Sequence, residues 1–411
     1  MKSFIKMRIT KHRKKFTLIL SLVSFFFLIG CSEVEKKLND TQSLNTVCPI
    51  IESKSNYLLE NPRNISEAQK LISAKSNSSQ YRNQILNFSL AQLYLSPHST
   101  NLNSHTLFFA KINGKEIFIN SIPDETYEFS FIAALNELAQ QLKKPISLKS
   151  RLNLVEKNIS EYVYASRSLE EFIKNNQAQL FKSKPLKKMY FRGAQGIREN
   201  ELFRRLDYLK DYNLLKRKAS PTKNKTNLTS AHLFTRDNYS CSFDSKVFNA
   251  DIMILKKPEK AYHNIFSHYK DKNNYIIGVT SSVPKVDNSI NEFLFQKSNN
   301  DSYTAACMTK DQRNHSIFLF MNGITYNAQV LNRLINSHSQ VTNAKDFMDT
   351  KRSLMLTNPK RKVSEIYGIN RVKNDKEAQY YIPSLGRLTI LEQGEFLSTF
   401  NDPRNKQLKC N

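Results

Sequence analysis

Residues 106–122 read TLFFAKINGKEIFINSI, and this stretch carries the clearest structural signal in the chain. Two runs of aromatic and β-branched residues flank Asn113-Gly114, a pair that suits the positive φ angles of a two-residue type I′ turn. We therefore predict a β-hairpin near residues 106–122.

The sequence on either side of this hairpin has helical signals. Ser66 and Ser168 each precede an acidic or amide residue within the next turn and are typical of a capped helix start. Pro123 opens a third candidate helix, whose apolar residues repeat at intervals of four, three and four: Phe131, Leu135, Leu138 and Leu142. Residues 48–215 are accordingly predicted to form a mainly α-helical domain that contains the hairpin.

The pattern changes in the second half of the chain. Residues 216–229 are basic and lack apolar periodicity, which indicates a linker. Short β-branched and aromatic runs follow, and the unbroken run Ile317 to Met321 is typical of a strand covered on both faces. A helix is predicted at Asn327–Ser337. We expect an α+β protein whose residues 230–411 form a sheet packed against helices.

The first thirty residues have the organisation of an export signal. Residues 1–15 carry seven Lys or Arg and no acid, and the apolar stretch Phe16–Ile29 follows. Fourteen residues rising 1.5 Å each are too short for a hydrocarbon core of about 30 Å. The stretch ends in Leu28-Ile29-Gly30-Cys31, which resembles the lipobox of bacterial lipoproteins.

This resemblance covers the export signal alone, and it implies a location rather than a fold. In lipoproteins the Cys of the box becomes the first mature residue and carries fatty-acyl chains, so Cys31 is the expected attachment site. Residues 1–30 would then be removed, and residues 31–47 would form a flexible tether. Ser32 is not the Asp that retains such proteins at the inner membrane of enteric bacteria. The resemblance therefore implies the periplasmic face of the outer membrane in a cell that has one. An ordinary cleavable signal is the alternative.

The mature chain would be strongly basic. Lys and Arg number 62 against 36 Asp and Glu, and removal of residues 1–30 lowers the formal charge from +26 to +19. In an exported protein this charge favours anionic lipid or an acidic protein surface over nucleic acid. The segment around Met189-Tyr190-Phe191 interleaves aromatic residues with cations, so Lys187, Lys188 and Arg192 are candidate contacts to an anionic surface.

With Cys31 acylated, four cysteines would remain in an oxidising compartment, which favours disulfides. Cys241 and Cys307 both lie in strand-like segments of the same half and are our preferred pair. Cys48 and Cys410 would then pair with each other. The sequence has no CxxC spacing that would favour a four-cysteine metal site instead.

The sequence does not single out catalytic, cofactor-binding or metal-binding residues. It lacks the G-x-S-x-G pentad of a nucleophile elbow, and its closest histidines, His263 and His268, are not spaced to converge on a helix. Distant acids such as Asp251, Asp301 and Glu392 could still meet in space. The remaining histidines after the signal give no ligand spacing: His98, His105, His232, His315 and His338.

These features favour a lipid-anchored envelope protein that acts by binding or scaffolding with anionic partners. Two alternatives stay open: an envelope hydrolase whose site is assembled from distant residues, and an accessory subunit of an export or surface-assembly complex. The sequence leaves the oligomeric state open.

Overall fold

A computed structural model of the chain describes residues 53–54, 56–73, 80–122, 129–144, 147–210, 234–236, 239–243, 262–282, 304–322, 326–338, 347–348, 350, 352–357, 360–365, 378–382 and 385–402. The helices among these residues are α1 (Ile65–Ser73), α2 (Gln80–Leu95), α3 (Ser130–Gln141), α4 (Leu148–Asn158), α5 (Arg167–Asn175), α6 (Gln177–Lys182), α7 (Lys184–Tyr190) and α8 (Asn327–Asn336).

The strands are β1 (Ser53–Lys54), β2 (Tyr57–Leu58), β3 (His105–Ile112), β4 (Lys115–Ser121), β5 (Tyr162–Tyr164), β6 (Phe191–Arg192), β7 (Gln195–Gly196), β8 (Leu202–Arg204), β9 (Phe234–Arg236), β10 (Tyr239–Cys241), β11 (Tyr262–Asp271), β12 (Asn274–Ser282), β13 (Ala305–Lys310), β14 (Ser316–Asn322), β15 (Ser353–Thr357), β16 (Lys360–Glu365), β17 (Ala378–Ile382), β18 (Arg387–Gln393) and β19 (Leu397–Asn401). Helices and antiparallel sheets together confirm the predicted α+β class.

A five-stranded antiparallel sheet has the order β2-β11-β12-β3-β4. The predicted hairpin is confirmed as its β3-β4 edge, where Ile112 pairs with Lys115 across the turn. Asn113 and Gly114 have φ angles of 51° and 80°, as the turn requires. On its other side β3 pairs with β12, so strands from both halves of the chain share this sheet.

A seven-stranded sheet has the order β1-β19-β18-β14-β13-β10-β9, and every pair in it is antiparallel. The run Ile317 to Met321 forms most of its central strand β14, and all five residues are buried, which confirms the strand predicted to be covered on both faces.

The two sheets pack face to face through aromatic side chains. The ring centroid of Phe109 on β3 lies 5.6 Å from that of Phe318 and 6.0 Å from that of Phe320 on β14. Tyr275 on β12 lies 6.0 Å from Phe318. Successive strand residues point to opposite faces, so each strand contributes every second side chain to this interface. The result is a β-sandwich.

Helices cover both outer faces of the sandwich. On the five-stranded sheet, Phe108 points away from the interface towards Phe131 of α3, with ring centroids 6.5 Å apart. The central helix α2 packs there as well, where Phe88 lies 5.9 Å from Phe266. On the seven-stranded sheet, α8 buries the apolar residues predicted for it: Val330, Leu331, Leu334 and Ile335. The order of layers is therefore helices, sheet, sheet, helices.

The prediction of a mainly helical N-terminal half is not supported. Seven of the helices lie there, but residues 105–121 also supply two strands of a central sheet. The predicted linker at 216–229 lies outside the described residues, and the domain division stays a prediction.

A disulfide joins Cys241 of β10 to Cys307 of β13, which is the pair preferred from the sequence. The two residues face each other in register on neighbouring antiparallel strands. A bridge that spans 66 residues stabilises the folded chain by roughly 4 kcal/mol in the chain-entropy account. Cys31, Cys48 and Cys410 lie outside the described residues.

Candidate functional site

The two ends of the sandwich carry different side chains. At one end β3, β11, β13 and β18 begin, while β4, β12 and β14 finish. Polar side chains gather there, and all but the partly exposed His263 are buried; we call this set the polar end: His105, Asn120, His263, Ser281 and Thr304. At the other end, which we call the hairpin end, the turns of four hairpins meet at residues 113–114, 272–273, 311–315 and 394–396.

Hydrogen bonds across the two sheets hold the polar end together. His263 Nδ1 of the five-stranded sheet lies 2.9 Å from Thr304 Oγ1, directly before β13 of the seven-stranded sheet. The Asn120 side chain donates to the carbonyl of Ser242, just after β10, at 3.2 Å. Both sheets therefore contribute to one polar region.

His105 is the best-fixed histidine of the polar end. Its Nε2 lies 2.9 Å from Asn120 Oδ1, and its Nδ1 lies 3.4 Å from the hydroxyl of Ser281, its partner in the strand register. Burial lowers the pKa of His105 to about 4, against a raising effect of the Asn120 hydrogen bond. The ring is therefore neutral at physiological pH.

Among the described residues, Nδ1 of His263 has a hydrogen-bond partner and Nε2 has none. Burial, with Arg387 and His105 nearby, lowers its pKa to about 3, so this ring is neutral too. Its Nε2 is buried and has no hydrogen-bond partner among the described residues. A buried nitrogen of this kind can donate to or accept from a ligand.

A serine and a histidine meet beside the polar end. Ser168 Oγ lies 2.6 Å from Nε2 of His98, and a Glu60 carboxylate oxygen lies 3.3 Å from the same nitrogen. The His98 side chain is fully buried, whereas that of Glu60 is 13% exposed. Both Glu60 oxygens and His98 Nδ1 lack a hydrogen-bond partner within the described ranges.

Local helix capping explains how Ser168 becomes available for this contact. The N-cap of α5 is Ser166, whose hydroxyl accepts from the backbone N–H of Leu169 at 3.1 Å. The expected cap at Ser168 is therefore wrong by two residues. Ser168 sits in the first turn of α5 instead, and its side chain is directed to His98. The first-turn N–H groups of a helix point out of its N-terminus and favour negative charge there.

Tyr262 and Arg387 connect the serine-histidine pair to the polar end. Tyr262 precedes His263 on β11, and its ring lies edge-on to His98 with centroids 5.6 Å apart. Its hydroxyl accepts a hydrogen bond from the Asn175 side chain at 3.2 Å, near the end of α5. Burial raises the pKa of Tyr262 and lowers that of His263, and Arg387 is close enough to both rings to act on each electrostatically. One contiguous region therefore extends from Ser168 to Thr304.

Two hydroxyl-imidazole pairs in this region are closer than the 3.4 Å of Ser281 and His105, and these two differ in chemical capacity. A hydroxyl at 2.6–3.2 Å from an imidazole nitrogen has the geometry of a nucleophile and its base. A base works best when its pKa lies near the working pH, and the pKa of about 3 makes His263 a poor base for Thr304. The pair better placed for reaction is Ser168 with His98, where Glu60 would stabilise an imidazolium ion.

The sequence-predicted contacts to an anionic surface lie elsewhere. Lys188 and Arg192 are exposed, and Lys187 Nζ lies 3.7 Å from the ring centroid of Phe181. The aromatic part of that prediction is wrong, because the side chains of Met189, Tyr190 and Phe191 are buried in the core of the helical layer. The three cations therefore have no interleaved apolar residues to insert into a membrane.

The sequence did not reveal Glu60, His98 and Ser168 as a set. His98 and Ser168 are 70 residues apart, and the contact depends on how α5 packs against the end of the five-stranded sheet. A serine within the first turn of a predicted helix is an ordinary capping signal. The one available hint was the succession of serines at 166 and 168, since only one of them can be the cap.

The fold resembles that of known enzymes, although neither a protein-family profile nor a curated protein sequence matches this chain. A cephalosporin acylase from Bacillus halodurans superposes with a TM-score of 0.52 and 12% identity, over 87% of this chain and 95% of the acylase. The LmbA2991HD structure gives a TM-score of 0.46 at 9% identity, over 87% and 98%. The transpeptidase CapD from Bacillus anthracis gives 0.31 at 12% identity, over 39% and 57%. The first of these similarities establishes a shared fold.

Proposed function

We propose that this chain is a cell-envelope hydrolase of acyl bonds, with Ser168 as nucleophile and His98 as its base. The observation that carries the proposal is the 2.6 Å separation of Ser168 Oγ and His98 Nε2 at the N-terminus of α5. The shared fold with a cephalosporin acylase supports the choice of an acyl bond as the target.

The proposed reaction proceeds in two steps. The Ser168 proton moves to His98 Nε2 while Oγ bonds to the acyl carbon, and the bond from that carbon to the leaving nitrogen or oxygen breaks. His98 then gives its proton to the leaving group. Water attacks the acyl-serine and passes a proton to His98, which returns it to Ser168 as the acid departs. Glu60 stabilises the imidazolium ion in both steps.

The surroundings of the pair fit a ligand with an anionic group. Arg387 begins β18 near Tyr262, and Arg167 begins α5 next to Ser168. The positive end of α5 adds to this field. Neutral His105 and His263 can hydrogen-bond to amide groups without adding charge. We therefore expect an N-acyl amino acid or a related acyl compound with a carboxylate.

The test is hydrolysis of a panel of p-nitrophenyl esters and p-nitroanilides by the full chain. We expect Ser168→Ala to lower kcat/KM by at least about 10³-fold, as loss of a catalytic serine does elsewhere. The matched control is Ser150→Ala, because Ser150 also lies in the first turn of a helix but contacts another serine rather than a histidine. The control should retain activity within about twofold.

A second readout separates catalysis from structure. A fluorophosphonate probe should label Ser168 in the wild-type chain, and labelling should fall in a His98→Gln variant. If the wild-type chain neither hydrolyses the panel nor takes up the probe, the hydrolase proposal is wrong. Equal loss of activity in the Ser150 control would also contradict it, since the effect would then reflect folding.

We further propose that the hydrolase is held at the envelope by acyl chains on Cys31. The support is the lipobox Leu28-Ile29-Gly30-Cys31. Among the described residues, none of the helices is both long and apolar enough to cross a membrane. A Cys31→Ser variant should remain unprocessed and lose its lipid label in cells fed a fatty-acid analogue. Unchanged labelling would exclude Cys31 as the attachment site.

Three cations on and after α7 favour a second candidate function, binding to an anionic surface. Lys187, Lys188 and Arg192 lie on and after α7, and each cation near an anionic bilayer contributes roughly 1 kcal/mol. In a chain that begins at Ser32 and so lacks both the signal and the acyl chains, replacing all three with Gln should weaken sedimentation with phosphatidylglycerol vesicles about 100-fold. The control is a triple Gln variant of the exposed residues Lys143, Lys149 and Lys157. Equal loss in both variants would show that net charge alone is responsible.

A further inference from the structure

Three potential metal ligands converge at the hairpin end, far from the proposed hydrolase site. His315 Nδ1 lies 3.5 Å from Asp311 Oδ2 and 3.6 Å from Glu392 Oε1. All three ligand atoms lie within 4.8 Å of one another. The His315 Nδ1 atom is buried and has no hydrogen-bond partner in the part of the chain that the structure describes.

Two neighbouring hairpins fix these side chains. Asp311 and His315 lie in the turn between β13 and β14, where Asp311 Oδ1 accepts the backbone N–H groups of Arg313 and His315 at 2.8 Å each. This leaves Oδ2 facing the imidazole. Glu392 comes from β18, the strand paired with β14. The carboxylate of Asp311 is thus oriented before any ion arrives, as metal-ligating carboxylates commonly are.

The distances fit a shared cation better than direct hydrogen bonds. At 3.5 and 3.6 Å the nitrogen-oxygen separations are too long for good hydrogen bonds. Ligands at 2.0–2.2 Å from a tetrahedral ion lie about 3.4 Å from each other, from the coordination distances typical of zinc. The two nitrogen-oxygen separations therefore match edges of a coordination tetrahedron, and the two carboxylate oxygens lie within 4.8 Å of each other.

The residue of the β18-β19 turn that lies beside the ring has no side chain. The residue there is Gly394, and a Cβ at this position would lie 3.6 Å from His315 Cε1 and 3.8 Å from Nδ1. A longer side chain would crowd the nitrogen that faces the carboxylates. The side chains of His315 and Glu392 are partly exposed, so the cluster lies at the protein surface.

We propose that Asp311, His315 and Glu392 form a binding site for a divalent transition-metal ion, with zinc as the expected occupant. An imidazole nitrogen favours zinc over magnesium or calcium, and two carboxylates neutralise its charge. Water would complete the coordination. The ion would tie the β13-β14 hairpin to β18.

The experiment is equilibrium dialysis of the full chain against zinc, after removal of metal with a chelator. We expect one zinc ion per chain whose affinity falls at least tenfold in His315→Ala and in Glu392→Gln. Glu395→Gln is the matched control, because Glu395 is an exposed carboxylate in the same β18-β19 turn. It should bind zinc like the wild-type chain.

A second measurement identifies the ligands directly. Cobalt bound in place of zinc should give the visible absorption bands of a four-coordinate ion without a thiolate charge-transfer band, and His315→Ala should abolish them. Thermal unfolding of metal-free wild-type and variant chains should coincide, which shows that the variants fold. Absence of stoichiometric binding, or retention of affinity and cobalt bands in both variants, would overturn the proposal. An equal loss in the Glu395 control would overturn it too.

Discussion

The polar end and the hairpin end belong to the same strands, yet their titratable groups are held in different ways. At the polar end the His105 side chain and the Nε2 atom of His263 are buried, and burial lowers the pKa values of the two rings to about 4 and about 3. At the hairpin end His315 is one-third exposed and faces two carboxylates. The comparison teaches that burial and the neighbouring side chains decide whether an imidazole serves as a neutral hydrogen-bonding group or as a candidate ligand for a cation.

Ion pairs also differ in burial between the two ends of the sandwich. Near the polar end, Arg352 is fully buried, with Nη2 at 2.5 Å from Asp402 Oδ2 and Nη1 at 3.0 Å from the Gly386 carbonyl. Glu365 accepts the Arg352 backbone N–H at 3.1 Å. On the strands that lead to the hairpin end, the Lys111–Glu116 pair is 4.0 Å long and Glu116 is 55% exposed.

Removal of the buried arginine should produce the largest effect. Arg352→Met leaves the carboxylates of Asp402 and Glu365 without their cation inside the protein. We expect the free energy of unfolding to fall by about 3–5 kcal/mol, as is typical when one partner of a buried pair is removed. Urea denaturation monitored by circular dichroism measures this change.

The control for that variant is Glu116→Gln, which removes one partner of the exposed pair. Solvent screens such pairs, so the expected change is within about 0.5 kcal/mol. Similar losses in the two variants would show that the two ends do not differ in how they hold charge.

The buried histidines should make the polar end sensitive to acid. In the unfolded chain a histidine titrates near 6.5, whereas the folded values are about 4 for His105 and about 3 for His263. Below pH 6.5 the unfolded state therefore binds more protons. The stability contributed by neutral rings is fully present above that pH and is lost towards pH 4, by up to about 1.4 kcal/mol per pH unit for each ring.

His105→Gln tests this expectation, because glutamine can hydrogen-bond but does not titrate in this range. Between pH 6.5 and pH 5 the free energy of unfolding of the variant should fall less steeply than that of the wild-type chain, by up to about 1.4 kcal/mol per pH unit. Asn322→Ala removes another buried polar residue at this end without removing a proton site. This control should lower the free energy of unfolding equally at all pH values. If His105→Gln leaves the pH dependence of the free energy of unfolding unchanged, the expectation is refuted.

The elements predicted correctly from the sequence are those set by local periodicity. The β3-β4 hairpin, the strand Ile317 to Met321 and the helix at Asn327 each follow from spacing within about fifteen residues. The assignment of strands to sheets was harder to predict. Ala110 of β3 pairs with Ile276 of β12, which lies in the other half of the chain. The sequence of a hairpin indicates that its apolar strands must pair with and pack against other elements. Which strand pairs with it depends on the fold of the whole chain.

The candidate site was hidden for a similar reason. Ser168 was interpreted as a helix cap because it has an acid three residues later, whereas Ser166 performs that role in the structure. Around Tyr190 the sequence interleaves aromatic residues with cations and so predicts contacts to an anionic surface. It does not show that the aromatic rings are buried, because that depends on packing against other helices. The disulfide was predictable, since Cys241 and Cys307 lie in strand-like segments of one half.

The smallest expected effect comes from the turn at the hairpin end. Gly114 has a φ of 80°, and a Cβ there would meet nothing within 4 Å, so Gly114→Ala should cost only the backbone strain, about 1 kcal/mol. The companion variant Asn113→Gly should not show this loss, since glycine adopts positive φ freely. Hydrolase activity should stay unchanged in both variants, because β3 and β4 extend from this turn through a packed interface before they reach His105 and Asn120. Urea denaturation and ester hydrolysis, measured on the same variants, test whether the two ends are independent. A fall in kcat/KM in proportion to the lost stability would show that they are coupled.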